Sequence, residues 1–176
     1  VVINNETMVN QLFSKYYSGG AILIRGVQID MGNCIFDDNF AQSGGAIAIY
    51  EDVYGRTAYS SPNINIVYSN FTNNFAQLGG AILSYTNYNA ISRCEFTNNS
   101  AYVGGAVSLQ GNDSYIEFST FTHNGAVYGG ALAVGETAHE ETVGYWSGRD
   151  WSEFTDVFFN GRQTGLFNST FIDNTT

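Results

Sequence analysis

The tripeptide Gly-Gly-Ala recurs at Gly19, Gly44, Gly79, Gly104 and Gly129, at spacings of 25, 35, 25 and 25 residues. A second motif, Phe-x-x-Asn, recurs at Phe36, Phe71, Phe96, Phe121 and Phe171, at spacings of 35, 25, 25 and 50. The two are locked in one phase. Five residues lead from Asn39 to Gly44, from Asn74 to Gly79, from Asn99 to Gly104 and from Asn124 to Gly129. A fixed period of this length marks an array of stacked units, each burying its apolar side against the next. The departures from 25 locate two insertions, at about 51–60 and 136–160. The second excess equals one period, so a degenerate repeat competes with an inserted loop. The loop is favoured, because Trp146 and Arg149 stand where Phe and Asn are due, and Phe154-Thr155 where the glycines are due. The phase calls for another glycine pair five residues past Asn174, beyond Thr176, so a longer natural array is expected.

Within a unit, counted from its first glycine, positions 4 and 6 read Ile22/Ile24, Ile47/Ile49, Ile82/Ser84, Val107/Leu109 and Leu132/Val134. Position 13 reads Met31, Ile66, Ile91, Ile116 and Leu166, and position 18 is the motif Phe. Polar or small residues lie between, and the apolar stretches are too short for helices. Three short strands per unit, closed by turns, describe one coil of a parallel β-helix. Coils then stack about 4.8 Å apart. Phe36, Phe71, Phe96, Phe121 and Phe171 are expected to form an internal aromatic stack. Asn39, Asn74, Asn99, Asn124 and Asn174 are expected to form a hydrogen-bonded turn ladder. A leucine-rich repeat is disfavoured, since no Leu-x-x-Leu-x-Leu pattern occurs. Residues 1–18 fall outside the repeat. Met8, Val9, Leu12, Phe13 and Tyr16 have helical spacing there, which suggests a helical cap over the first coil, with a degenerate coil as the alternative. The expected fold class is all-β, a parallel β-helix over 19–176 with a cap at 1–18.

Composition narrows the function. Sixteen acidic and six basic residues give a net charge of −10, the wrong balance for nucleic acid. No run of about 18 apolar residues is present to span a membrane. Cys34 and Cys94 share one column with a coil between them, which separates them by about 9–10 Å, beyond the reach of a disulfide. Both are expected to be reduced, buried and inert. Neither has a partner at metal-ligand spacing, and no cofactor is called for.

The Gly-Gly-Ala-Ile units at Gly19, Gly44 and Gly79, the variants at Gly104 and Gly129, and the Phe-x-x-Asn motifs resemble the repeats of the polymorphic outer membrane proteins of chlamydiae. The resemblance covers about residues 19–176. It implies a right-handed parallel β-helix on an extracellular, surface-displayed, elongated protein, and in that family the repeats serve adhesion. Six Asn-x-Ser/Thr sequons, at Asn5, Asn70, Asn98, Asn112, Asn168 and Asn174, point to N-glycosylation in a secretory pathway. Asn70 and Asn112 lead as acceptors, followed by Asn98, Asn168 and Asn5. Asn174 belongs to the ladder and is expected to stay bare.

Enzymes on polysaccharides also use this fold, with converging carboxylates on one face. The Asp37-Asp38 pair has only Thr72 and Asn73 in the next unit, so it reads as two solvated acids. The insertion at 136–160 is richer, holding Trp146, Trp151, Glu140, Glu141 and Asp150. Rings beside carboxylates suit a sugar or a protein partner, and equally suit a loop that merely folds onto its scaffold. His123 is expected in an exposed turn, and His139 has no nucleophile to serve. The residues favour a non-enzymatic extracellular structural or adhesive module. Its expected partners are a glycan or surface receptor, and, at its ends, further coils or a second copy. A polysaccharide-binding or polysaccharide-processing protein is the alternative.

Overall fold

A computed structural model of the chain describes residues 2–3, 19–50, 64–111, 113–135, 157–160 and 164–176. Among the described residues, seventeen short strands form three sheets in which every neighbour pair is parallel. The glycine sheet, which follows each Gly-Gly-Ala, stacks β2 (Ile22–Arg25), β5 (Ile47–Tyr50), β8 (Ile82–Ser84), β11 (Val107–Leu109), β14 (Leu132–Gly135) and β15 (Val157–Asn160). The middle sheet stacks β3 (Ile29–Gly32), β6 (Ile64–Val67), β9 (Asn89–Ser92), β12 (Ser114–Glu117) and β16 (Thr164–Phe167). The phenylalanine sheet stacks β1 (Val2–Ile3), β4 (Ile35–Asp37), β7 (Asn70–Thr72), β10 (Glu95–Thr97), β13 (Thr120–Thr122) and β17 (Thr170–Ile172). The chain visits the three sheets in turn and climbs one rung per circuit. This is a parallel β-helix.

Register follows the period. Phe71 pairs with Phe96 and Phe96 with Phe121, as Ile66 does with Ile91 and Ile91 with Ile116. The second insertion is more ordered at its end than a plain loop. Val157–Asn160 pairs with β14 at an offset of one period, Leu132 against Val157. The middle and phenylalanine sheets instead resume two periods on, Ser114 against Thr164 and Phe121 against Phe171. The extra 25 residues therefore add one rung to the glycine sheet alone. Val2–Ile3 lies on β4, so the phenylalanine sheet has a rung before the first full coil. The helical pattern at 6–17, the insertion at 51–60 and residues 136–156 lie outside the described residues.

The glycine pair is dictated by backbone proximity. Gly44 has φ of 57°, and a Cβ there would sit 2.0 Å from the Ile47 carbonyl oxygen. A Cβ on Gly45 would sit 2.0 Å from the Gly80 carbonyl oxygen of the next coil. The first glycine supplies the left-handed corner and the second lets two coils touch.

Inward side chains fill the tube. Ile47, Ile49, Ile64, Ile66, Ile82, Ile91, Leu109, Ile116, Leu132 and Val134 are buried in one cluster with the phenylalanines. The rings of Phe36, Phe71, Phe96, Phe121 and Phe171 stack with centroids 4.7–4.9 Å apart and planes within 8° of parallel. That spacing is the coil rise, so backbone pairing and ring stacking reinforce one another.

The asparagines bond from coil to coil. The Asn74 backbone N–H and its Nδ2 both donate to Asn99 Oδ1, at 3.0 and 2.9 Å. The same Nδ2 donates to the Phe36 carbonyl at 3.1 Å. Asn74 Oδ1 in turn accepts from Asn39 N–H and Nδ2. Asn99 and Asn124 repeat the pattern, and the last link runs from Asn124 to Asn174 Oδ1 at 2.9 Å. Each interior amide uses both donors and its acceptor, which is what makes burial tolerable.

Asn99→Ala would strip the Asn74 N–H and Nδ2 of their acceptor and the Phe71 carbonyl of its donor. At about 1–3 kcal/mol per orphaned buried group, it should cost several kcal/mol. Urea unfolding checks this. A loss no greater than that of an exposed strand control such as Glu95→Ala would mean that the ladder contributes little.

Candidate functional site

The three outer faces differ. That of the glycine sheet is largely withdrawn from solvent, with Ala48, Leu83, Ser108 and Ala133 buried and Tyr50 packed against Leu83. That of the phenylalanine sheet is mostly polar, carrying Asn70, Glu95, Thr97, Thr120, Thr122 and Thr170, with Ile35 and Ile172 exposed at its two ends. The middle sheet carries exposed rings on its last two strands and on its bounding turns, and polar or small residues on its first three strands. Tyr115 and Phe167 stand exposed on its strands, and Tyr88, Tyr68 and Phe118 on the turns that bound it. Phe167 lies across Gly165, where an added Cβ would meet the ring at 2.4 Å.

Each coil turns on residues with positive φ, and most are ones that tolerate it. Asp38, Asn73, Asn98, His123 and Asp173 open one corner; Asn33 and Asn168 open another in the first and last coils; Asp113 opens a third. The exceptions are Tyr68, Arg93 and Phe118, between Asn33 and Asn168 in their column, and Tyr88, one coil before Asp113. Their φ values are 51°, 53°, 49° and 58°. A bulky side chain there costs about 1–2 kcal/mol. All four exceptions flank the middle sheet.

Arg93 partly offsets the strain in its own column. Its guanidinium lies 5.5 Å from the Tyr68 ring centroid and 5.0 Å from that of Phe118, sandwiched between them. Arg93 Nη1 donates to Ser92 Oγ at 3.3 Å, and Ser92 Oγ donates to Glu117 Oε1 at 3.1 Å. The wall thus combines rings, one cation, one carboxylate and a hydroxyl held on neighbouring coils.

The remaining sequence candidates are scattered. Asn70, Asn98 and Asn168 are exposed, the first on a strand and the other two at positive-φ turns. Asn174 is buried and donates to the Phe121 carbonyl at 3.0 Å. Asn5 and Asn112 lie outside the described residues, as do Trp146, Trp151, Glu140, Glu141 and Asp150. Asp37 accepts from Asn73 Nδ2 at 3.1 Å. His123 meets Asp173 at 3.6 Å, both side chains exposed on one turn column. Among the described residues no cluster of His, Cys, Asp and Glu could hold a metal ion, and no helix is long and apolar enough to cross a membrane.

Both cysteines are free. Cys94 is buried among coils, but Cys34 is only half-buried, contrary to the expectation for both. Cys34 lies on the first full coil, and its backbone N–H donates to Ser69 Oγ of the next coil at 3.2 Å. Burial pushes the Cys94 thiol up to about 11, against weaker opposing hydrogen bonds with Ser69 and Ser92. A raised folded pKa means that the neutral thiol is favoured. Its contribution to stability is full below about 9 and is lost as pH rises through about 11.

Residues 33–50 match the Chlamydia polymorphic membrane protein repeat, a span that runs from the turn before the first Phe-x-x-Asn through the next Gly-Gly-Ala strand. The chain carries polymorphic-membrane-protein-like repeats. That family is one of surface proteins, and the matched span holds Phe36, Asn39 and Gly44, the residues that build the stack, the ladder and the corner. No curated protein and no solved structure gives a significant match.

The sequence spacing did not single out the aromatic wall, because its rings come from positions that vary from coil to coil. The available signal was Tyr68, Arg93 and Phe118 standing where Asn33 and Asn168 stand in the outer coils.

The thiols are expected to react in two classes. Under native conditions at pH 8 a thiol reagent should label Cys34, and Cys94 only after unfolding. Mass spectrometry of labelled peptides checks this, and equal rates at the two sites would contradict the burial of Cys94.

Proposed function

We propose that the chain is a non-enzymatic, extracellular structural or adhesive β-helix module of a surface protein or fibre, and that it is N-glycosylated. The carrying observation is the surface-protein repeat realised as a rigid stack, in which ladder and aromatic column run through every full coil. Core residues are half-buried at both ends of the described stack, Ile22, Ile29 and Met31 at one and Leu166 and Phe171 at the other. Their counterparts Ile47, Ile64, Ile66, Ile116 and Phe121 are buried. Further coils, or a second copy stacked end to end, would complete both ends. Trp146 and Trp151 on the long insertion are offered as a lateral contact for a receptor or glycan. Polysaccharide binding is the second reading, favoured by the exposed rings of the middle sheet.

Electron microscopy of the native material tests the first reading. Filaments, or rods projecting from a surface, would support it, whereas a dispersed soluble protein with no surface attachment would sink it. Glycopeptide mapping tests the modification. Asn70, Asn98 and Asn168 are expected to be occupied and Asn174 bare, because a glycan on Asn174 Nδ2 would have to enter the ladder. Bare asparagines at Asn5, Asn70, Asn98, Asn112 and Asn168 alike in material from the source organism would refute it.

A further inference from the structure

We propose that the outer face of the middle sheet, with the turns that bound it, is a binding wall for an uncharged carbohydrate polymer. This deepens the adhesive reading above and rests on it. The inference starts from strain. Twelve non-glycine residues among those described have positive φ, and eight are Asn, Asp or His, which bear that conformation well. The other four, Tyr68, Tyr88, Arg93 and Phe118, line the two edges of one sheet. The turns of neighbouring coils are made by Asn33, Asp113 and Asn168, so nothing in the fold demands rings there. Strained, bulky residues gathered on one exposed face point to a role for that face.

The chemistry of the face selects the ligand. Tyr68, Tyr88, Tyr115, Phe118 and Phe167 are exposed on it, the two ring ends of the arginine sandwich at 54% and 48%. Arg93 covers the inner faces of Tyr68 and Phe118. The exposed part of each ring is left for the polarised C–H bonds of a sugar. Arg93 and Glu117 supply a donor and an acceptor for sugar hydroxyls beside the rings, and the buried Ser92 hydroxyl ties the two together. Exposed aliphatic side chains lie elsewhere, on Leu23, Ile35, Val127 and Ile172, with Val27 near the wall only at the first coil. The rings are spread over several successive coils, from Tyr68 to Phe167, which suits an extended polymer over a compact ligand. Charge excludes acidic polymers, since Asp30, Asp113 and Glu117 accompany the single Arg93 on a chain of net charge −10.

Affinity electrophoresis of the chain in gels containing a dissolved neutral β-glucan, xylan or galactomannan, or acidic pectate, tests the proposal. Retardation by at least one neutral polymer is expected, and none by pectate. The double variant Tyr68→Asn, Phe118→Gly removes two rings while installing residues at ease with positive φ. Glycine is used at 118 because asparagine there would create a sequon. The variant should keep the wild-type melting temperature and bind at least tenfold more weakly. If it unfolds, Tyr115→Ser, which removes an outward ring from a strand, is expected to show the same weakening. Free migration of the wild type in every neutral gel, retardation by pectate alone, or undiminished binding by these variants overturns the proposal. If the wild type ignores all polysaccharides yet still adheres to cells through a protein receptor, the wall assignment fails and the adhesive reading stands.

Discussion

Stacking coils in register puts like residues on like, and every other feature of this molecule answers to that constraint. A charged residue repeated every coil rise would repel itself, and a hydroxyl alone offers one donor. Asparagine solves the problem at a buried corner. Its Nδ2 reaches forward to one coil and back to another, while its Oδ1 accepts two bonds. The links have a direction, each asparagine donating to the next coil's Oδ1. A stack built this way has unlike ends, so one unit added to another meets a complementary surface. Phenylalanine solves the apolar version of the problem, because parallel rings at this spacing gain from repetition.

Where the constraint is relaxed, the core finds local solutions. Ser84 replaces the usual aliphatic at position 6, and it is fully buried. Its hydroxyl donates to Asn89 Oδ1 at 2.9 Å and lies 2.9 Å from Thr86 Oγ1, which also donates to Asn89. Asn89 Nδ2 then donates to the Thr86 carbonyl and to Ser114 Oγ on the next coil. A partly satisfied group of this kind would destabilise the tube, whereas a closed one fixes register as the asparagine ladder does.

The inner columns were legible because the same residue returns at a fixed interval: five Phe, five Asn and the glycine pairs each announce a stacked position. The half-buried state of Cys34 was not, since the spacing assigns a residue to a column without giving its exposure there. Nor was β15. Its register on β14 keeps the period, yet the glycine pair and Phe-x-x-Asn that would mark a coil are absent, because it contributes one sheet's worth of a coil and needs neither corner nor ladder. The buried outer face of the glycine sheet was hidden for a related reason. Ala48, Leu83, Ser108 and Ala133 alternate in type, and only their burial reveals that this side is also covered.

The division between inner and outer columns bears on where function can lie. In a one-dimensional stack, stability is close to a sum over coils and their contacts, so each outward position is nearly independent of the fold. An outward residue that costs nothing carries no information about selection. One that costs conformational energy does, unless the cost is recovered locally. Arg93 recovers part of it through its two rings, at about 0.5–1 kcal/mol per exposed contact. That does not cover three residues held at positive φ, and Tyr88 lies at the opposite edge, in a different turn column. The uncompensated remainder is concentrated on the two turn columns that bound the middle sheet, while the other positive-φ corner, at Asp38, Asn73, Asn98, His123 and Asp173, is built from residues at ease there. A rod that served only as a spacer would have no reason to distribute its strain so unevenly.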